Sequence, residues 1–311
     1  MKHKFLKIAA GTAGAFAAGF VGLSGLLCFE VFSRKANLVD LVNEKAPPEE
    51  NPYTDRLTWM DEQNYVQYKI TDYRGKSLNA YLLPAKTPSD VYVFCSHGYR
   101  STGKIGFRYI TKYWHDKGYN VFMIDQQANG ESEGDHISFG YYESRNVIEW
   151  LNFMNETFGD EIRIILHGVS LGCATILLAI GSGELPQNVK FAVADCGFTS
   201  VEDEFTHHLT TMKLAPKPVI STTAAINKLA AGYDYRDVRP IDAVKNARIP
   251  IVFIHGEKDD FVPTKMVYPL YEACPTDKTL CVIPEAGHAE AYQVNPPMYE
   301  AAIEPFLEKY M

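Results

Sequence analysis

Short apolar runs and amphipathic stretches alternate along most of the chain. The apolar runs are rich in Val, Ile and Phe, and they begin at Val91, Val121, Ile162, Phe191, Ile251 and Leu280. Runs that are apolar at consecutive positions are typical of strands buried in a parallel sheet. Ahead of them, residues 65–71 and 78–83 predict an antiparallel pair joined through Arg74-Gly75. The pattern therefore predicts an α/β protein with a mostly parallel, eight-stranded sheet and crossover helices.

The N-terminal segment has a different pattern. Three lysines occur within the first seven residues, and residues 8–29 then carry no charge until Glu30. A helix over this run would be about 33 Å long, enough to cross the bilayer core. We therefore predict a membrane anchor over residues 1–35 and a linker over 36–60, with the remainder outside the cytoplasm because the basic end stays inside. A cleaved signal peptide, giving a secreted protein, and a helix bound to a surface or buried are the alternatives.

Composition narrows the class of protein. A length of 311 residues suits one large α/β domain with a cap and an N-terminal extension. The net charge of -8 argues against a nucleic-acid partner, since phosphate binding favours a basic face. Six cysteines do not require a disulfide framework, although Cys274 and Cys281 flank a predicted turn and could pair outside the cell. The sequence predicts no oligomeric state.

The strongest chemical signal is a serine at a strand-to-helix turn. Ser170 is the centre of the pentapeptide G-V-S-L-G at residues 168–172, which follows the apolar run 162–166 and precedes the run 174–180. A G-x-S-x-G sequence between a buried strand and a helix is the pattern of a nucleophile elbow. The glycines allow the two backbones to approach closely, and the strained turn lifts the serine Oγ clear of the sheet.

A serine nucleophile needs a base, and the base needs an acid that orients it. Asp259 follows the strand that begins at Ile251, and His288 follows the next strand, so both come after Ser170 in the order expected for an open α/β sheet. Asp260 is an alternative acid beside Asp259. Asp195, at the tip of an earlier strand, is a weaker alternative.

These motifs resemble the α/β-hydrolase family. The segment H-G-x-x-D-x-x-V-P at residues 255–263, the later Gly287-His288 and the upstream G-x-S-x-G are most similar to the serine-hydrolase branch with monoacylglycerol-lipase-like and serine-aminopeptidase-like members. The likeness runs from about Tyr65 to the end of the chain. The loop 125–132 resembles the family's D-x-R-G-x-G-x-S loop but has Gln127 and Ala128 where arginine and glycine would stand, a departure we interpret as neutral for chemistry.

The resemblance implies a domain over residues 61–311 with helices on both faces of the sheet. Residues 199–247 interrupt the strand–helix alternation with two helical stretches, and in this fold such an insertion forms a small helical cap over the active site. Ser170 would be the nucleophile, His288 the general base and Asp259 the orienting acid. Backbone N–H groups of Leu171 and of Tyr99, which follows Ser96-His97-Gly98, would form the oxyanion hole.

The resemblance and the triad together indicate a serine hydrolase that cleaves small carboxylic esters through an acyl-enzyme intermediate, with no metal and no cofactor. Peptide or amide cleavage of the aminopeptidase type and thioester cleavage are alternatives within the same chemistry. Acyl transfer to an alcohol other than water would use the same triad. A non-catalytic binding protein on the same fold is a further alternative, disfavoured by the presence of all three residues.

Overall fold

The computed structural model describes residues 19–36 and 54–311. Its strands are β1 Val66–Thr71, β2 Ser77–Leu83, β3 Val91–Ser96, β4 Asn120–Asp125, β5 Arg163–Val169, β6 Val189–Asp195, β7 Ile251–Gly256 and β8 Lys278–Ile283. Its α-helices from residue 54 onward are α1 Thr54–Asp61, α2 Gly103–Phe107, α3 Thr111–Asp116, α4 Glu143–Phe158, α5 Leu171–Gly181, α6 Val201–Thr211, α7 Pro216–Ala231, α8 Pro240–Ala243, α9 Val267–Ala273, α10 Ala291–Val294 and α11 Pro296–Tyr310. Short 3₁₀ turns occupy Tyr235–Asp237, Val244–Asn246 and Thr264–Met266.

The strands form one sheet of eight in the order β1-β2-β4-β3-β5-β6-β7-β8. The pairs β1–β2 and β2–β4 are antiparallel, and all later pairs are parallel. The predicted α/β-hydrolase architecture, with its antiparallel opening pair and its mostly parallel sheet, is therefore confirmed. Because β3, β5, β6, β7 and β8 are parallel, their carboxyl ends meet along one edge, where ligands bind in open α/β sheets.

Helices cover both faces of the sheet. On one face α4 and α5 bury Trp150, Leu151 and Ile176 completely. On the other face α3 and α11 bury Trp114 and Ile303. Two apolar layers thus enclose a sheet whose central strands β3 and β4 have no exposed residue, which explains why their sequences are apolar at successive positions.

Residues 199–247 form α6, α7, α8 and the 3₁₀ turns between α7 and β7. Helix α6 begins after Ser200, whose Oγ accepts a hydrogen bond from the backbone N–H of Asp203 at 3.0 Å. Helix α7 begins at Pro216, which suits the first turn because proline has no N–H to leave unpaired. These helices pack over Leu171 through a third apolar cluster that includes the fully buried Tyr235.

Residues 19–32 are helical and pack against the domain along one face. Ser24, Cys28 and Phe32, four residues apart, are buried at 1%, 8% and 2% exposure. The opposite face is exposed and apolar, and it contains Val21, Leu23, Leu26 and Phe29. Residues 19–32 thus form a helix with one face packed on the domain and the other face exposed.

None of the helices in the described ranges is both long and apolar enough to cross a membrane. The predicted span of residues 8–29 also includes residues 8–18, which lie outside the described residues, as does most of the predicted linker. The membrane anchor therefore stays a prediction.

All six cysteines are free thiols, so the pairing of Cys274 with Cys281 is wrong. Their sulfur atoms have separate partners: Cys274 Sγ lies 3.2 Å from Thr276 Oγ1, and Cys281 Sγ donates to the carbonyl oxygen of Met298 at 3.8 Å. The predicted turn between them instead leads from the end of α9 into β8.

Candidate active site

Ser170 lies at a sharp turn between β5 and α5, with φ of 56° and ψ of -118°. A Cβ on Gly168 would lie 2.4 Å from the carbonyl oxygen of Gly172, and a Cβ on Gly172 would lie 1.8 Å from the carbonyl oxygen of Ser96. Neither position therefore has room for a side chain. The Ser170 N–H donates to the carbonyl oxygen of Asp195 at 2.9 Å, which ties the turn to the end of β6. This is the strained strand–turn–helix that the sequence predicts.

The side chains of Ser170, His288 and Asp259 form one hydrogen-bonded chain. His288 Nε2 lies 2.9 Å from Ser170 Oγ, and His288 Nδ1 lies 2.7 Å from Asp259 Oδ2. The other carboxylate oxygen, Asp259 Oδ1, accepts the backbone N–H groups of Phe261 at 3.1 Å and Val262 at 2.9 Å. The loop after β7 thus fixes the carboxylate, and the carboxylate fixes the imidazole. The catalytic roles of the three residues stay a prediction.

The charge on Asp259 determines what the imidazole can do. Burial alone would raise the pKa of Asp259, but hydrogen bonds from His255 and His288 outweigh that effect and hold the pKa at about 2. An ionised carboxylate only accepts, so His288 carries its proton on Nδ1 and presents Nε2 as an acceptor to Ser170. This is the protonation state that a general base requires.

His255 is a second partner of the acid that the sequence analysis missed. Its Nε2 lies 3.2 Å from Asp259 Oδ2 and 2.9 Å from the carbonyl oxygen of Val262. Since a carbonyl oxygen only accepts, Nε2 carries the hydrogen and points it at both oxygens. The signal in the sequence was the histidine four residues before Asp259, which suits a local contact across the loop.

The alternative acids have other surroundings. Asp260 is exposed, and its carbonyl oxygen lies 2.8 Å from His207 Nε2. Asp195 is buried, and its Oδ2 accepts a hydrogen bond from the hydroxyl of Tyr299 at 2.9 Å. The hydrogen bond from His288 Nδ1 goes to Asp259, so the geometry favours Asp259 over both.

The two residues of the predicted oxyanion hole flank Ser170. Leu171 is the first residue of α5, where unpaired N–H groups and the helix dipole favour negative charge. Tyr99 follows Gly98, on which a Cβ would lie 3.5 Å from Ser170 Cβ. His97 fixes this loop: the Gln126 N–H donates to its Nε2 at 2.9 Å, which leaves Nδ1 to donate to the carbonyl oxygen of Gly98 at 2.7 Å.

A buried polar network lies beneath the turn that carries Ser170. Trp114 Nε1 donates to His167 Nδ1 at 3.1 Å, so His167 Nε2 carries the hydrogen and faces the hydroxyl of Tyr299 at 2.9 Å. That hydroxyl donates in turn to Asp195. Burial raises the pKa of Asp195 to about 6. No pattern in the sequence indicates this network, because its four residues come from α3, β5, α11 and β6.

One group of side chains in the described part of the chain has the residue types and spacing of metal ligands: atoms of Cys196, Asp259 and His288 lie within 4.8 Å of one another. Asp259 and His288 already bond to each other. Burial raises the pKa of the Cys196 thiol well above its usual value, which disfavours the thiolate that a metal needs. The arrangement suits proton transfer better than metal binding.

Comparison with known proteins identifies a family for this chain. The model of the prolyl oligopeptidase family matches residues 105–311, more than half of the chain. The chain belongs to this family. Its resemblance to α/β-hydrolases is thereby confirmed, and the branch of serine hydrolases stays unresolved.

The chain is also similar to a curated relative and to solved structures. The uncharacterized protein YqkD of Bacillus subtilis is 26% identical over 99% of this chain and 98% of its own length. The Pyrococcus furiosus esterase Pf2001 has a TM-score of 0.64 at 19% identity, covering 82% of this chain and 95% of that one. Est1E of Butyrivibrio proteoclasticus, solved with ferulic acid bound, has a TM-score of 0.60 at 19% identity, covering 79% and 98%. At these identities the solved structures show the fold alone.

Proposed function

We propose that the protein is a serine hydrolase that cleaves carboxylic esters through an acyl-enzyme intermediate. The observation that carries this proposal is the continuous chain of hydrogen bonds from Ser170 Oγ through both nitrogens of His288 to the buried carboxylate of Asp259. It supplies the nucleophile, the base and the orienting acid of acyl transfer in one geometry.

The reaction has two halves. Ser170 Oγ attacks the ester carbonyl carbon while His288 Nε2 takes its proton, and the oxyanion forms beside the N–H groups of Tyr99 and Leu171. His288 then protonates the departing alcohol, leaving an acyl group on Ser170. Water, deprotonated by His288, attacks this acyl group, and the proton returns to Ser170 as the acid leaves. Asp259 stays ionised and stabilises the imidazolium in both halves.

Two features support esters as the substrates. The solved esterase Pf2001 matches this chain over 95% of its own length, and Est1E, solved with ferulic acid bound, matches it over 98%. The aromatic ring of Phe261 lies 4.9 Å from the ring of His288, which supplies an apolar surface for an acyl or alkyl group. Peptide cleavage is the second candidate, and the name of the family favours it. Thioester cleavage and acyl transfer to an alcohol use the same groups.

The first test is covalent labelling. The full-length protein in detergent should react with a fluorophosphonate, and Ser170→Ala should abolish the label while the melting temperature stays unchanged. A Ser170→Ala variant that still labels would place the nucleophile elsewhere.

The second test separates substrate classes. A panel of p-nitrophenyl esters with acyl chains of increasing length, together with aminoacyl anilides, should show hydrolysis of the esters. Hydrolysis of the anilides alone would favour the peptidase. A labelled but silent enzyme would favour acyl transfer, which an alcohol acceptor would then reveal.

We also propose that the N-terminal segment anchors the protein in the cell membrane, with the catalytic domain outside the cytoplasm. The uncharged run of residues 8–29 and the exposed apolar side chains Val21, Leu26 and Phe29 support this location. Fractionation of cells with an alkaline carbonate wash tests it: an anchored protein stays in the pellet. A shortened protein in the medium would indicate a cleaved signal, and release by carbonate would indicate a helix bound only to the protein or the surface.

A further inference from the structure

The loop that carries Tyr99, called the oxyanion loop below, has a strained backbone at Arg100, the residue after Tyr99. Arg100 has a φ of 52°, in the left-handed region that favours glycine. It occupies the third position of a turn closed by a hydrogen bond from the Ser101 N–H to the carbonyl oxygen of Gly98 at 3.3 Å. A strained conformation of this kind persists only where surrounding contacts hold it.

The contacts that hold Arg100 come from the N-terminal segment. Its Nη1 donates to the carbonyl oxygen of Ala36 at 2.5 Å, and its Nη2 donates to those of Glu30 at 2.8 Å and Ser33 at 3.0 Å. Glu30 lies in the last turn of the helical residues, where carbonyl oxygens lack partners within the helix, and Ser33 and Ala36 follow that turn. The neighbouring hydroxyl of Tyr99 donates to the carbonyl oxygen of Val31 at 2.6 Å. The segment therefore bonds to two consecutive residues of the oxyanion loop.

The segment is itself fixed to the domain by packing. Phe32 is 2% exposed, and its ring lies 5.3 to 5.8 Å from those of His136, Phe139, Phe205 and Tyr235. Its carbonyl oxygen accepts a hydrogen bond from the N–H of Ile137 at 2.7 Å. Phe205 belongs to α6, so this one ring joins the N-terminal segment to the cap.

Arg34 holds the segment from the other side. Its backbone N–H donates to the carbonyl oxygen of Asp135 at 2.9 Å, and its side chain donates to the carbonyl oxygens of Ser132 at 2.6 Å and of Gly130. The segment thus spans from the loop after β4 to the loop after β3, with the cap above it.

We propose that residues 28–36 support the oxyanion hole: their contacts with Arg100, and the packing of Phe32 that fixes them to the domain, hold the Tyr99 N–H in place to stabilise the oxyanion, so that Arg100 and Phe32 act as positioning residues. This inference rests on the proposed hydrolase function. The side chains act through the backbone of Tyr99 and do not touch the reacting atoms. The loss of either should therefore lower the stabilisation of the transition state and leave the binding of the ester ground state largely unchanged.

The test uses the full-length protein and the best ester of the panel. Arg100→Met keeps the length of the side chain and removes its donors. The matched control is Arg108→Met, because Arg108 caps the end of α2 and its guanidinium lies over the ring of Tyr109 at 4.8 Å. Melting temperature, kcat, KM and the inhibition constant of a boronic acid that forms a tetrahedral adduct with the serine are measured for each.

We expect Arg100→Met to lower kcat by about 10- to 100-fold, part of the loss seen when an oxyanion donor is removed outright. The inhibition constant of the boronic acid should rise by a similar factor, while KM changes little. Arg100→Lys, which can still reach a carbonyl oxygen, should recover part of the loss. Arg108→Met should match the wild type. A merely structural role would lower the melting temperature without a parallel change in kcat and boronate affinity.

Three results would overturn the inference. The first is an Arg100→Met variant with the kcat and boronate affinity of the wild type. The second is an Arg100→Met variant that loses activity while its boronate affinity is unchanged. If Arg100→Met does not fold, Phe32→Ala decides, with an expected loss of about 10-fold in kcat; wild-type kinetics in that variant would refute the inference. A wild-type protein that neither labels nor hydrolyses any substrate would instead refute the proposed function, and this inference with it.

Discussion

Replacing Asp259 with asparagine keeps the shape of the side chain but turns the acceptor that faces His288 into a donor. One carboxylate oxygen accepts two backbone N–H groups, and the other accepts His288 and His255. Asparagine has one oxygen and one NH₂ group. Because the backbone donors cannot reverse, the amide oxygen is expected to face them, and the NH₂ group then faces the two histidines.

The consequence falls on His288. To meet an NH₂ group, His288 Nδ1 must accept, so its hydrogen moves to Nε2 and points at Ser170 Oγ. A base that already holds its proton on the side of the nucleophile cannot take another. The expected loss in kcat is about 10⁴-fold, or roughly 5 to 6 kcal/mol of activation free energy. His255 cannot adapt, since its Nε2 hydrogen is also held by Val262, so some stability should be lost as well.

Ester hydrolysis and the rate of fluorophosphonate labelling measure this effect, with Asp260→Asn as the matched control. Asp260 is exposed and its neighbour accepts the bond from His288, so Asp260→Asn should retain activity within about two-fold of wild type, as surface substitutions usually do. Equal losses in the two variants, or an Asp259→Asn enzyme within ten-fold of wild type, would refute the reasoning and move the acid elsewhere.

Three further predictions concern the support of the site. Gly172→Ala should abolish labelling and lower soluble yield, since its Cβ would lie 1.8 Å from a backbone oxygen, whereas Gly98→Ala, with 3.5 Å of room, should fold normally by circular dichroism. Tyr299→Phe should cost about 1–3 kcal/mol in urea unfolding, because it removes the hydroxyl that pairs with Asp195 Oδ2 and His167 Nε2, two buried atoms. The pKa of Asp195 is raised to about 6, above its value of about 4 in the unfolded chain. The contribution of the protonated carboxyl to stability should therefore be full below pH 4 and be lost as pH rises through 6. The free energy of unfolding of Asp195→Asn should lack this decrease between pH 4 and 7.

The sheet was predictable because local chemistry specifies it. Strands buried on both faces must be apolar at successive positions, and six such runs indicate parallel strands before any contact is known. The motif at Ser170 was equally local, since both glycines stand within five residues, although the steric demand on Gly172 comes from the carbonyl oxygen of Ser96 at the end of β3. Asp259 and His288 followed because each comes directly after a strand whose carboxyl end meets the same edge of the sheet.

Distant partners were not predictable. His167 and Tyr299 stand within apolar stretches like ordinary core residues, and only the packing of α3 and α11 brings them to Asp195. The N-terminal helix shows a related ambiguity: an apolar run suits lipid and protein equally, so the burial of Cys28 and Phe32 depends on the domain that receives them. In the loop after β4, Ala128 stands where the resemblance implies a glycine, and it adopts a φ of 63°, in the left-handed region that favours glycine.

Half of the strained residues lie around Ser170. Eight non-glycine residues in the described ranges have a positive φ, and four of them are here: Ser170 is the proposed nucleophile, Ala289 follows His288, Cys196 follows Asp195 and Arg100 follows Tyr99. Each conformation costs about 1–3 kcal/mol and must be offset by its surroundings. For Ser170 and Cys196 the neighbouring strands supply the support, through hydrogen bonds to β6 and β7.

For Arg100 the support comes instead from residues 30–36, well before the point near Tyr65 where the family resemblance begins. A fragment cut at residue 61 would retain Ser170, His288 and Asp259, with the oxyanion loop free to relax. We therefore expect such a fragment to label with fluorophosphonate more slowly than the full chain. Equal labelling rates in fragment and full chain would show that the loop holds its strained form unaided.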